Sequence, residues 1–406
     1  MIIGGGAAGI SMAARLSRWL NHPDITLIDP SDRQYYQPGF TLIASGVYKP
    51  EEVWKKQEKC IPGGVKWIKD QVIYMDPDHH TIRTQQNGEI GYDFLVLTPG
   101  LQINWGQVEG ITQASLGQGN AHCIYDFEGA QRTWKALQEF SKTGGKGIYT
   151  DTYTKHKCGG APKKICLLTD DYTRKNKTRD QIILDFYTAS NELYDVPHYT
   201  PRLLEIYKER QIPIHTNVRV TGVDTFSKKV YLEKRETKGE EMIRTPFVEE
   251  YDFLHFTPPM SAPDFVREAG LGWKEGKLGD EGWVMVDKET LIHTRYPNIV
   301  SLGDCSDVPT SKTSAAIRVQ VPVAAKNLIS LMEGKDPTEK YNGYAACPIV
   351  TDYKHVLLCE FDYDKKPAAS FPFSWMDNSK ELRAAWFLKA HILKPLYFHG
   401  MLNGYA

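Results

Sequence analysis

The chain has 406 residues, enough for two or three domains with cores of their own. Its 49 basic and 50 acidic side chains leave a formal charge of −1, which excludes the basic surface of a nucleic-acid binder. Hydrophobic residues make up 41%, ordinary for a globular protein, and no stretch of about 18 apolar residues is present to cross a bilayer. Seven scattered cysteines do not form a secreted disulfide framework; an odd set of this kind fits a chain kept mostly reduced, with one functional pair. No signal or transit peptide pattern precedes the first motif, and the chain opens almost inside its first strand, which leaves room for residues upstream.

Ile2 and Ile3 are the stub of a strand running into Gly4-Gly5-Gly6-Ala7-Ala8-Gly9. A helical stretch from Ile10 to about Leu20 and a strand from Ile25 to Ile28, ending at Asp29, complete a βαβ unit. Gly4, Gly6 and Gly9 fit G-x-G-x-x-G: a tight turn, close backbone approach to a pyrophosphate, and close helix–strand packing. The helix N-terminus supplies N–H donors and the positive end of a dipole. Asp29, 20 residues after Gly9, can accept from a ribose 2′-hydroxyl, which selects an adenosine without a 2′-phosphate.

The apolar run from Tyr92 to Leu97, closed by Thr98-Pro99-Gly100, reads as the next strand. Cys158 then lies in Lys157-Cys158-Gly159-Gly160-Ala161-Pro162-Lys163-Lys164, a lysine-rich context that favours a thiolate. Lys164 to Thr169 is predicted as an apolar strand running into Asp170–Lys175, a loop without glycine. A second nucleotide fingerprint is expected there, and its absence argues against a nicotinamide dinucleotide. A strand pair is expected around Val218 to Leu232. The stretch from Tyr251 to Pro259 echoes that from Tyr92 to Pro99, which suggests two related α/β domains.

Tyr296 to Asp304 reads as a short strand ending in Gly303-Asp304, followed by Pro309-Thr310-Ser311-Lys312-Thr313 and a helix from Ser314 to Met332. A strand-terminal acid beside a helix N-terminus can hold a ribityl chain and aim the helix dipole at a flavin ring. Cys347 sits in Gly343-Tyr344-Ala345-Ala346-Cys347-Pro348. Two distant cysteines on a flavin-type scaffold suggest a thiol–disulfide relay feeding electrons to the flavin. From Leu382 to Leu402, aromatic and aliphatic residues alternate with Arg383, Lys389 and Lys394, and Pro395 splits the segment. It reads as two short amphipathic helices lying in a membrane interface, against the alternative of packing on the body.

These motifs in this order, together with Tyr36-Gln37-Pro38, Thr257-Pro258-Pro259-Met260 and Gly303-Asp304-Cys305, resemble the sulfide:quinone oxidoreductases of the mitochondrial-like branch, over nearly the whole chain. The resemblance implies an α/β fold of two Rossmann-like domains with a C-terminal membrane-associating region. The expected partition is residues 1–100 and 261–340 for the FAD domain, 101–260 for a second Rossmann-like domain carrying Cys158, and 341–406 for the C-terminal region with Cys347. It implies FAD held at Gly4, Gly6, Ala7, Ala8, Gly9, Asp29, Gln37, Val72, Gly303, Asp304, Lys312, Thr313, Ser314 and Ala315, with no metal. It implies Cys158 and Cys347 as the redox pair, oxidation of hydrogen sulfide, transfer of sulfane sulfur to glutathione, sulfite or a similar acceptor, and delivery of electrons to a membrane quinone.

The expected location is peripheral, on a bacterial or mitochondrial inner membrane, with a homo-oligomer as an open partner. In the proposed division of labour Cys347 accepts the sulfur, and Cys158, held as a thiolate by Lys157, Lys163 and Lys164, faces the flavin. Cys123 stands where another branch carries a third active cysteine; a relay thiol, a covalent flavin link and a buried bystander remain open, with the bystander favoured. Cys60, Cys166, Cys305 and Cys359 read as structural. An NADH:quinone oxidoreductase, a cytochrome c-linked sulfide dehydrogenase subunit and a non-enzymatic FAD or sulfur-carrier module are the competing functions.

Overall fold

The structure is a computed structural model that describes residues 1–239 and 241–405. The first strand, β1 (Ile2–Ile3), turns at Gly4 directly into helix α1 (Ala7–Trp19), so the helix begins three residues earlier than its sequence pattern suggests and Gly9 lies inside its first turn. Strands β2 (Thr26–Ile28), β3 (Lys66–Ile68) and β4 (Leu95–Leu97) pair in parallel around β1. These short strands are nearly all apolar because helices and loops cover both faces, as a parallel sheet requires.

A second parallel sheet follows, from β5 (Ala121–His122), β6 (Gly145–Thr150), β7 (Ile182–Tyr187), β8 (Ile214–His215) and β9 (Phe253–His255), in the order β5-β9-β6-β7-β8. Helices α2 (Phe127–Thr143) and α3 (Ala161–Lys175) belong to this half. An antiparallel ribbon of Val218–Asp224, Lys229–Lys238 and Glu241–Glu250 precedes β9. The chain then returns to the first sheet as β10 (Ile299–Ser301), which pairs with β4 and completes the order β10-β4-β1-β2-β3, before helix α4 (Ser314–Met332). The two echoing segments hold matching places: β4 lies beside β1, and β9 lies beside β6. Just beyond them Gln102–Ile103 pairs antiparallel with Met260–Ser261 and ties the two halves together.

The expected strand at Lys164 to Thr169 is instead the middle of α3. A six-residue apolar run does not distinguish a buried strand from a buried helix. The flanks decide: Pro162 occupies the first turn, where its missing N–H costs nothing, and Arg174 and Lys175 favour the C-terminal end of the dipole. Ile165 to Thr169 are buried all round because the helix lies between the second sheet and a hairpin, β11 (Ala345–Asp352) and β12 (His355–Phe361). Asp170–Lys175 is therefore not a loop. Fully buried Asp170 binds Arg174 Nε at 2.8 Å and Arg179 Nε at 2.6 Å, anchoring the end of α3.

The C-terminal segment is a continuous helical run from Arg383 to Asn403, not two helices parted by Pro395. Its pitch relaxes to π over Leu388–Ile392 and Leu396–Gly400, and such bulges accommodate a proline within a helix. One side packs on the body through Tyr397, Phe398, Met401 and Leu402, while Phe387, Ile392 and Leu396 face outward. Among the described residues no helix is long and apolar enough to cross a membrane.

Candidate functional site

At the first loop Gly4 has φ +93°, and a Cβ there would stand 2.2 Å from the Thr98 carbonyl oxygen; only glycine closes this turn. A Cβ on Gly9 would meet the Gly4 carbonyl oxygen at 1.8 Å, whereas one on Gly6 would meet nothing within 4 Å. The N-terminus of α1, with Ala7 and Ala8 in its first turn, carries no side-chain cap. Its free N–H groups therefore front open space at Gly6, which is what a pyrophosphate needs. Asp29 accepts from Gly5 N at 2.6 Å and Ser31 N at 2.8 Å; burial pushes its carboxyl pKa up, and these amides oppose that. Gln57, which sequence reading missed, donates to the Gly5 carbonyl oxygen at 2.8 Å, and its own Oε1 is a buried acceptor bonded to no group of the described chain. The loop thus fits an adenine dinucleotide. Val72 opens an antiparallel strand just past β3, with its side chain buried.

The second helix N-terminus converges on the same region. Gly303, in the turn after β10, lies against α1: a Cβ there would be 3.4 Å from that of Ala8. Thr313 caps α4 by accepting from Ala316 N at 3.2 Å, with Ser314 and Ala315 in the first turn. A cavity lined by Gly303, Ser306, Thr310, Lys312, Thr313 and Gln320 opens here. Lys312 does not reach into it as a free cation. Its Nζ donates to the carbonyls of Asp304 and Ser306, both at 2.7 Å, over the ring of buried Trp283, and burial lowers its pKa to about 8. Burial raises the Asp304 carboxyl, opposed by Lys157 and Lys312.

Cys158 and Cys347, 189 positions apart, meet with their sulfurs 3.9 Å from each other. Cys158 N donates to the Lys312 carbonyl oxygen at 3.0 Å, so the cysteine loop is stitched to the start of α4. Cys158 itself holds φ +48°, an unusual backbone for a non-glycine residue and one that clusters at functional sites. Lys164 Nζ, in the first turns of α3, stands 3.1 Å from Cys158 Sγ. The hydrogen bond from Cys347 and the Lys164 ammonium hold the Cys158 thiol well below the usual range, against the effect of burial. Cys347, fully buried, is pushed up by its bond to Cys158 and by burial, so it is the proton-bearing partner. Gly160 makes the meeting possible: a Cβ there would lie 2.5 Å from Cys347 Sγ.

Of the three lysines expected around the thiolate, only Lys164 touches it. Lys163 is buried in an ion pair with Asp151 at 2.9 Å, a contact whose rupture typically costs about 3–5 kcal/mol. Lys157 donates to Gln37 Oε1 at 2.7 Å and so joins the cysteine loop to the Tyr36-Gln37-Pro38 turn. Lys389, read from sequence as part of a membrane-facing segment, is instead buried. Its Nζ donates to the Pro38 carbonyl oxygen at 3.0 Å, and burial lowers its pKa to about 7 despite the opposing field of the two cysteines. Nothing in the amphipathic pattern marks it out, because a lysine on such a helix ordinarily faces water.

Cys123 is fully buried, its thiol pushed up to about 12 by burial, and no hydrogen bond joins its sulfur to another cysteine among the described residues. Cys166 lies on α3, not on a strand, and is buried, as are Cys305 and Cys359. Cys60 is half-buried.

The position of the cysteine loop explains the missing second fingerprint better than Asp170–Lys175 does. Residues 151–160 join β6 to α3, the place a second nucleotide loop occupies in a βαβ unit. Here the start of α3 is roofed by β11, with Cys347 against Gly160 and Ile349 beside it. Thr188 Oγ1 and Ala189 N satisfy the Asp151 carboxylate at 2.8 and 2.9 Å.

Two parallel dinucleotide-type sheets thus carry an open glycine loop in one half and a close pair of thiols at the equivalent turn of the other. The family model for pyridine nucleotide-disulphide oxidoreductases matches residues 1–139. Over 405 residues the chain is 36% identical to the mitochondrial sulfide:quinone oxidoreductase of Mus musculus and 36% identical to that of Dictyostelium discoideum; each match covers 100% of this chain and 86% of the relative. The crystal structure of the sulfide:quinone oxidoreductase from Aquifex aeolicus superposes with a TM-score of 0.80 at 21% identity, over 99% of this chain and 91% of that one. The chain belongs to the sulfide:quinone oxidoreductase family, and membership implies a flavin cofactor.

Proposed function

We propose that this chain oxidises hydrogen sulfide through a Cys158–Cys347 disulfide, passes the sulfane sulfur to a small acceptor such as glutathione or sulfite, and delivers the electrons to a membrane quinone. The observation that carries the reading is the 3.9 Å approach of two thiols of opposite character, one beside Lys164 and the other buried under β11. The α1 loop with Asp29, the Gln37 turn and the start of α4 would hold FAD. Bound FAD supplies a two-electron acceptor that can be reoxidised by quinone.

The residues divide the work as follows. In the oxidised pair, HS⁻ attacks Cys347 Sγ; a sulfur–sulfur bond forms there, the Cys347–Cys158 bond breaks, and its electron pair leaves on Cys158. The proton of HS⁻ stays on the new persulfide. Cys158 is the better leaving group because its thiolate is the stabler one, with Lys164 at 3.1 Å. Its backbone tie to Lys312 keeps it at the start of α4, on the side where the flavin is expected. An acceptor, a second sulfide ion where no other is present, then takes the outer sulfur and leaves Cys347 as a thiol; the pair closes again with loss of the Cys347 proton and of two electrons, for which bound FAD would be the acceptor. Cys123 takes no part.

The outward residues Phe387, Ile392 and Leu396, with Phe371 and Trp375 at 72% and 83% exposure, support contact with a membrane surface. The relatives named mitochondrial support a mitochondrial location, and the proposal places the chain on an inner membrane, mitochondrial or bacterial. Anaerobic addition of sulfide to the FAD-loaded protein tests the reading: the flavin spectrum bleaches with sulfide and is unchanged by NADH. Bleaching by NADH with indifference to sulfide would overturn it.

A further inference from the structure

His156 takes no part in the contacts described so far. Its Nδ1 lies 3.0 Å from the Thr154 carbonyl oxygen. A carbonyl only accepts, so Nδ1 carries the proton and Nε2 presents a bare lone pair. That Nε2 is shielded from solvent, and no group of the described chain bonds to it. The ring packs edge-on against Tyr125, whose hydroxyl donates to the Cys158 carbonyl oxygen at 3.3 Å. Nε2 would stand 3.5 Å from a Cβ on Gly159, so the orphan acceptor lies within the loop that carries Cys158. A buried acceptor without a donor calls for a reason. Burial lowers the ring's pKa and outweighs Asp151, the Thr154 carbonyl and Cys158, which favour the charged ring, while Lys163 also opposes it; the ring is therefore neutral at physiological pH and its Nε2 can accept a proton.

We propose that His156 Nε2 is the base that takes a proton from H₂S as its sulfur attacks Cys347. This rests on the disulfide relay proposed above. The step balances: the sulfur of H₂S bonds to Cys347 Sγ, the bond to Cys158 breaks, and its electron pair stays on Cys158 beside Lys164. One proton passes to Nε2 and the other remains on the persulfide. The disulfide is reduced and the sulfide sulfur is oxidised to the sulfane level. The group lets the site use the protonated form of its substrate, which prevails as pH falls.

The test compares wild type with His156→Gln, which keeps a donor for Thr154 but takes up no proton, and His156→Phe, which keeps the packing on Tyr125. All are FAD-loaded and mixed rapidly with sulfide without oxygen, from about pH 6 to about pH 9. Flavin bleaching and the persulfide mass gain on quenched Cys347 are both read. At the alkaline end, where HS⁻ prevails, the variants match wild type within about twofold; towards acid they lose about tenfold per pH unit while wild type holds its rate. Profiles parallel to wild type, or a uniform loss at every pH, overturn the assignment while leaving the relay intact. Bleaching that survives Cys347→Ser overturns the relay and this step with it.

Discussion

The two halves of the molecule use one plan for opposite ends. Each has a five-stranded parallel sheet with a helix following a central strand, α1 after β1 and α3 after β6. At α1 the helix N-terminus is left open behind Gly6, and the carboxylate of Asp29 anchors the Gly5 amide of that loop. At α3 the same kind of terminus is closed by β11, and Lys164 of its first turns stands beside the Cys158 sulfur. The difference rests on few residues. Gly160 admits the Cys347 sulfur, and the hairpin fills the space a second dinucleotide would need. Under the proposed function, a scaffold suited to two nucleotides would hold one nucleotide and one sulfur relay.

The severest way to break the comparison is to remove a sulfur. Cys158→Ser and Cys347→Ser should each abolish sulfide-driven quinone reduction, because a hydroxyl is too weak an acid to leave as an anion and cannot carry a persulfide. With sulfide the wild type should show a broad long-wavelength absorption from thiolate to flavin, which Cys158→Ser loses. Persistence of that band in Cys158→Ser with its loss in Cys347→Ser would reverse the two roles. Normal turnover by both variants would refute the relay.

Lys164→Met tests whether α3 truly serves a thiolate. The folded Cys158 pKa is depressed, so its thiolate persists as pH falls below the ordinary thiol range; without Lys164 that pKa rises and the thiolate fraction at neutral pH drops. Sulfide-driven flavin reduction should slow by about ten- to a hundredfold at neutral pH and recover as pH rises. A loss independent of pH would point to misfolding instead. Asp29→Ala tests the other terminus. It removes the partner of the Gly5 amide, and retained flavin after dialysis should fall severalfold while Cys158 stays alkylatable.

Much of this contrast was legible beforehand, and the parts that were not share a cause. The α1 loop could be read because glycine positions and a strand-terminal acid at fixed spacing form a local signal. The two cysteines stood out by their neighbours. The path of the chain between them did not, since Lys164 to Thr169 is apolar enough for either a strand or a helix, and the hairpin that buries it lies far downstream, from Ala345 onward. The lysines near Cys158 could be counted in sequence, but helical geometry decides which one reaches the sulfur: Lys163 turns to Asp151 and Lys164 to Cys158. Lys389 and His156 escaped because burial of a lysine, or orphaning of one imidazole nitrogen, is a tertiary property with no pattern of its own.

The C-terminal run sharpens the comparison at its periphery. Deleting it from Leu382 would also strip Tyr397, Phe398 and Leu402 from the core and Lys389 from beside Pro38, so truncation confounds anchoring with folding. Replacing only the outward residues Phe387, Ile392 and Leu396 with serine separates them. Binding to lipid vesicles should weaken severalfold and quinone reduction with it, while sulfide still bleaches the flavin at the wild-type rate. Undiminished pelleting with vesicles would place the anchor elsewhere, with Phe371 and Trp375 the next surface to vary.

The smallest effect is expected at Cys123, and it is informative because that thiol lies in the same half as Cys158. Its neighbourhood does the reverse of what Cys158 enjoys: complete burial without a touching lysine pushes the thiol up to about 12, so the thiolate fraction at neutral pH is negligible. Cys123→Ser should therefore keep most of the sulfide-driven turnover, and it should lose about 1 kcal/mol of stability, because a smaller, more polar hydroxyl replaces the fully buried thiol even though the Tyr125 backbone amide can still donate to it. Cys123→Ala, which adds no polar group, should restore part of that stability with turnover unchanged. Thermal unfolding and turnover measured on both variants read the two effects apart. If either variant lost turnover while keeping its flavin and its melting temperature, Cys123 would belong to the relay, and the contrast between one activated and one inert thiol would fail.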